Sequence, residues 1–172
     1  MAVIRLRQGV RALFAWAERV DEGLAVEVLS PPLLALFQGM RRSERQHSLN
    51  VLRTLRAAGY DHPALLTAAL LHDVGKSRAA YHLWDRVIVV LVSAVAPETA
   101  RRWGAVESPR GWRRPFVIRE QHARWSADMV AEAGGDPLAV ALIAAHQQHL
   151  DGPPASEMER LLAALQAADD AN

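Results

Sequence analysis

The chain has no cysteine, and only one lysine in 172 residues. The first absence rules out disulfides and thiolate ligands, so any bound metal must be held by nitrogen and oxygen. The second leaves arginine as the general cation: of twenty basic residues, Lys76 alone is lysine. Net charge is nearly absent too, at +1, so nothing steers the whole molecule toward nucleic acid or a charged bilayer. Long apolar runs are missing. The longest, Val87 to Ala96, is about half of the ~20 residues that span a bilayer. Arg5, Arg7 and Arg11 interrupt the N-terminus where a signal peptide keeps a continuous apolar core. These features predict a soluble cytoplasmic protein with no transmembrane segment and no stable nucleic-acid complex. Internal repeats and strand-like alternation are lacking as well.

What is present is helical patterning. Residues 3–21, within an N-terminal segment 1–22, place Ile4, Leu6, Val10, Leu13, Phe14, Ala17 and Val20 on one broad face of an amphipathic helix. Ser30-Pro31-Pro32 opens a helix through Leu33 to Met40, and another runs from Ser43 to Ala58 and stops at Gly59. Asp61 as N-cap and Pro63 in the first turn start the apolar stretch Ala64 to Leu71. Val87 to Ala96 reads as a short buried helix. Residues 97–118 carry Pro97, Pro109, Pro115, Gly104 and Gly111, which predicts broken structure. Their arginines, with Trp103 and Trp112, suit a lid that holds phosphates and stacks a base. Helices follow over Val117 to Ala133 and Leu138 to Leu150, the latter with Leu142, His146 and His149 near one face. A last one starts at Ser156, with Glu159 at capping-box spacing, and reaches Asp169. The expectation is one all-α domain over 1–172, a compact helical bundle with its core in about 30–172 and an irregular Arg/Trp-rich segment at 97–118.

The chemistry gathers around Leu70-Leu71-His72-Asp73-Val74-Gly75-Lys76. So apolar a helix must be buried, and it carries the adjacent His72 and Asp73 inside with it. Burying an unpaired carboxylate costs several kcal/mol, and a metal cation removes that penalty. A helix-capping His–Asp pair without chemistry fits this stretch equally well. Lys76 can meet a phosphate oxygen or neutralise the helix end. His47 shares a helical face with Val51, Leu55 and Ala58, which for an isolated histidine most often means a core residue. Arg45 lies close by. His122, His146, His149 and Asp169 complete the series, so that separate helices each offer an imidazole or a carboxylate.

This order resembles the HD-domain metal-dependent phosphohydrolase superfamily, whose pattern is His, then His-Asp, then Asp. His47 matches the first histidine, Leu-Leu-His72-Asp73-Val-Gly-Lys76 the signature, and Ala167-Ala168-Asp169-Asp170 the closing motif. The resemblance implies an all-α HD-type fold and a first metal held by His47, His72, Asp73 and Asp169. Some members bind two metals; His122 and His146 are placed to hold the second, with Asp73 bridging. The segment from His146 to Gly152 is similar to part of the HD-GYP cyclic-dinucleotide phosphodiesterases. It departs from them at Gln147, which replaces a histidine, and at Gly-Pro-Pro in place of Gly-Tyr-Pro. Compact nucleotide hydrolases of the same superfamily, such as diadenosine-tetraphosphate hydrolases, are the closer likeness.

The expected activity is hydrolysis of a nucleotide or other phosphate ester or diester with one or two divalent ions. Mixed ligands suit iron, manganese or another first-row ion, and magnesium is compatible. Asp73, Lys76 and His149 are the candidate catalytic residues, His149 either donating a proton to the leaving oxygen or orienting His146. Lys76, Arg45, Arg113 and Arg114 are the candidates for the substrate phosphate. A small phosphorylated substrate is the expected partner, and a homodimer is compatible. The rival readings are a di-iron oxygenase on the same fold and a non-catalytic nucleotide sensor.

Overall fold

The computed structural model describes residues 20–78, 83–106, 111–150 and 152–172. Most of the amphipathic helix expected at 3–21 lies outside them, as does His82. Among the described residues there are nine α-helices and no strand. They are α1 (Gly23–Val28), α2 (Pro31–Gly39), α3 (Arg42–Ala57), α4 (Pro63–Leu71), α5 (Leu83–Val95), α6 (Pro97–Gly104), α7 (Arg114–Glu132), α8 (Pro137–Ala145) and α9 (Glu157–Asp170). Short 3-10 turns occupy Val74–Arg78 and Gly111–Arg113. The all-α expectation holds. No described helix is long and apolar enough to cross a membrane.

Helix α4 is the axis of the bundle. From Ala64 to Leu71 every residue is buried, because α1, α2, α3, α8 and α9 all pack against it. Its cap is His62 rather than Asp61: the Ala64 N–H donates to His62 Nδ1 at 3.2 Å. Pro63 explains the shift, since proline at the first helical position makes the preceding residue the cap. Helix α3 lays Leu49, Leu52 and Leu55 on the same core and exits through Gly59, whose φ of 86° suits glycine. At α9 the expected capping box is present: Glu159 N–H donates to Ser156 Oγ and Ser156 N–H to the Glu159 carboxylate, both at 3.1 Å.

Three local expectations are corrected. Residues 97–118 are not simply irregular: α6 occupies 97–104 and α7 begins at Arg114. Pro97 and Pro115 sit in first turns, where proline starts a helix and removes no hydrogen bond. The run Val87–Ala96 is helical as far as Val95, and of its large apolar residues only Val89 is buried. Val89 packs against Ala100 and Phe116, while Val90, Leu91 and Val95 are at least 60% exposed. An apolar run longer than its contact stripe leaves its other faces outside. The third correction concerns α8, which ends at Ala145 and does not continue to Leu150. The Gln166 amide from α9 donates to the carbonyls of His146 (3.0 Å) and Gln148 (2.7 Å), holding the chain out of the helix there.

Candidate metal centre

Two almost wholly apolar helices, α4 and α8, each end in a histidine, His72 and His146. Both side chains are thereby delivered to the interior, 1% and 7% exposed. Asp73 follows His72 into the same space and is also buried. Helix α7 brings buried His122, while α3 and α9 bring half-buried His47 and Asp169. The imidazoles form a chain of edge-on neighbours: His47–His72 5.5 Å, His72–His146 5.2 Å and His146–His122 5.3 Å between ring centres.

What brings α7 close is Gly75. Its N–H donates to Ser126 Oγ at 2.8 Å, and a Cβ there would stand 2.4 Å from the His122 carbonyl oxygen. Only glycine permits this approach of the turn to the helix. Ser126 lies one helical turn after His122, on the same side of α7.

The hydrogen bonds decide which ring nitrogens are available. His72 Nδ1 donates to the Ala69 carbonyl (3.1 Å), His146 Nδ1 to that of Ile143 (2.7 Å), and His122 Nδ1 to those of Ile118 and Arg119 (3.0 and 2.9 Å). A carbonyl only accepts, so each Nδ1 carries hydrogen and each Nε2 turns its lone pair inward when the ring is neutral. His72 Nε2 is buried with no hydrogen-bond partner; Asp169 Oδ1 and Asp73 Oδ2 stand 3.5 and 3.7 Å away. His47 Nε2 is 2.8 Å from Asp169 Oδ1. Asp73 divides its oxygens, Oδ1 lying 3.3 Å from His122 Nε2 and Oδ2 2.5 Å from Lys76 Nζ.

Potential ligand atoms of His47, His72 and Asp73 lie within 4.8 Å of one another, and those of Asp73, His122 and His146 do likewise. Asp73 thus belongs to two groups, each able to hold an ion. An orphaned, inward-facing nitrogen beside two carboxylates is what a divalent cation with nitrogen and oxygen ligands would fit.

The electrostatics favour positive charge in the same place. Burial works to raise the Asp73 pKa, but Lys76, His72 and the hydrogen bond with His122 overcome it and hold the carboxyl well below its usual range. Asp169 is also held far below that range, where interactions with His47 and His72 outweigh burial. For His72, burial pulls downward, yet the charges of Asp73 and Asp169 leave its pKa raised. His146 goes the other way, to about 4, chiefly through burial and then repulsion from His72. At neutral pH it is an uncharged imidazole, the form that ligates a metal.

Of the expected site residues, His47, His72, Asp73, His122, His146 and Asp169 line or form this cluster, together with Lys76. All of them but the fully buried His72 line a pocket of about 260 Å³. His149 is not brought there: with α8 ending early it lies exposed in the following turn. The arginines are engaged elsewhere. Arg45 pairs with Glu22, Arg114 with Asp85 at 3.3 Å, and Arg113 lies over the Trp112 ring at 5.1 Å. Trp103 packs edge-on against Trp112 and Phe116 and is partly buried there, whereas Trp112 is largely exposed. Ser43 and Glu44, which line the pocket, and the positioning residues Ser126 and Gln166 were not foreseen; only their spacing from His47, His122 and Asp169 hinted at them.

Fold and site together define a helical protein with a buried His/Asp centre suited to divalent cations. The family described as HD domain matches residues 45–171, and the chain belongs to that family. HD domains bind divalent metals and form a superfamily of metal-dependent hydrolases. No curated protein and no solved structure matches the chain.

Proposed function

We propose that the protein is a metal-dependent phosphohydrolase acting on a nucleotide or another phosphate ester or diester. The observation that carries the reading is the convergence of inward Nε2 atoms on a shared carboxylate, Asp73, with a lone ammonium, Lys76, at the rim. His47, His72, Asp73 and Asp169 would hold one ion; His122 and His146, with Asp73 bridging, would hold a second. Iron, manganese and related first-row ions suit these ligands, and magnesium is compatible. A divalent ion so held supplies Lewis acidity and lowers the pKa of bound water toward neutrality.

The protein's own groups do the rest. Backbone carbonyls lock the orientation of His72, His122 and His146, so the centre is organised before substrate arrives. Lys76 is half-buried and reaches the pocket from the turn after Asp73. Its compact charge is placed to neutralise a phosphate oxygen. The exposed His149 has no part in this scheme.

The test is phosphate release from a panel of nucleotides, monoesters and diesters by protein loaded with manganese, iron, cobalt or magnesium. Turnover that needs metal and disappears in His72→Ala supports the reading. Oxygen uptake by iron-loaded protein without phosphate release favours the oxygenase instead. Tight nucleotide binding without turnover by any metal form favours the sensor.

A further inference from the structure

A second cavity, of about 510 Å³, adjoins the metal pocket. The two share Lys76, His122 and Gln147 in their walls, so a molecule held at Lys76 can reach both. The walls differ in character. The metal pocket is faced with imidazoles and carboxylates, whereas the second cavity is faced by Val89, Val90 and Ala94 of α5 and Ile118 of α7. Its far polar feature is Arg119, whose guanidinium donates to Ser93 Oγ. The described lining residues include no carboxylate for ribose hydroxyls and no Phe, Tyr or Trp to stack on a base.

We propose that this cavity receives the alcohol portion of the substrate, and that this portion is apolar: an alkyl or aryl phosphate ester, not a nucleotide. The inference rests on the phosphohydrolase reading and narrows its substrate class. Exposed Val90 on α5, 64% accessible, acquires a purpose thereby, since a bound hydrocarbon covers it. The volume lies within the range of small-molecule sites. Lys76 stands at the junction, where the anionic phosphate ends and the hydrocarbon begins.

Binding of n-alkylphosphonates, from methyl to hexyl, tests this by calorimetry on the manganese-loaded full chain, with adenosine 5′-monophosphate as the nucleotide arm. A methylene fully removed from water is worth about fourfold in affinity; in a cavity open on one side about twofold is expected, so hexyl should exceed methyl by about 30-fold. Val90→Asp and Ala94→Phe alter exposed wall positions, with folding checked by circular dichroism, and both should flatten the chain-length dependence. Equal affinities along the series, no binding of hexylphosphonate, or tighter binding of the nucleotide overturns the inference. Any of these can occur with phosphate release intact, which preserves the hydrolase reading. Chain-length dependence without turnover of any ester by any metal form counts against that reading alone.

Discussion

Replacing Gly75 with alanine should damage the centre without replacing any candidate ligand side chain. The new Cβ would lie 2.4 Å from the His122 carbonyl oxygen, 2.7 Å from Ser126 N and 2.9 Å from Ser126 Oγ. Reaching an ordinary 3.4 Å separation from the carbonyl requires an opening of about 1 Å (3.4 minus 2.4), and two of the three atoms are backbone of a packed helix. Overpacking of this kind costs about 1–3 kcal/mol, and a strained or lost hydrogen bond from Gly75 N–H to Ser126 adds about 1 kcal/mol. The sum is about 3 kcal/mol. For a chain of this size that lowers Tm by about 9 °C. The assay is denaturant and thermal unfolding of the metal-free protein, paired with a manganese titration. Because His122 moves with its carbonyl, binding of any ion on the His122–His146 side should be weakened more than binding on the His47 side. Stability within 0.5 kcal/mol of wild type, with unchanged metal binding, would refute the packing argument.

Lys76→Met should retain metal but lower kcat/KM for phosphate esters by about 10²-fold, the scale for losing one preorganised donor to a developing charge; parallel metal analysis and kinetics decide it. His146 gives a pH prediction. Its folded pKa, about 4, lies below the unfolded value of 6.5, so the unfolded state takes up the proton first and stability falls as pH drops through that interval. Between pH 7 and 5 the contribution of this ring is a loss of about 2 kcal/mol. The raised pKa of His72 acts with the opposite sign, adding stability as pH falls. The two are separated by comparing metal-free wild type with His146→Gln, which should lack the His146 component; identical pH slopes would show that this ring is not held neutral.

Much of this architecture is legible in local sequence. Ser156 with Glu159, Gly59, and the prolines at helix starts act on their own neighbours, so the element order could be read without tertiary information. The apolar stretch ending in His72-Asp73 likewise announces burial of the pair it carries. What could not be read depends on distant partners. Arg45 and Arg114 look free until Glu22, at the start of α1, and Asp85, on α5, arrive from elsewhere in the chain. His149 reads as continuing the face of His146 until Gln166, on α9, takes the carbonyls of His146 and Gln148 and the helix stops at Ala145. Helix α5 reads as core because composition records apolarity without recording what packs where. The prolines of 97–118 suggested disruption although two of them begin helices.

If Asp73 and the surrounding imidazoles share bound cations, the ions must sit against that carboxylate. Anomalous diffraction from crystals grown with manganese measures this most directly. The expected result is a peak in contact with Asp73, flanked by His47, His72 and Asp169, with any second peak on the His122–His146 side. A protein that takes up manganese at other residues, leaving this pocket without a peak, would contradict it.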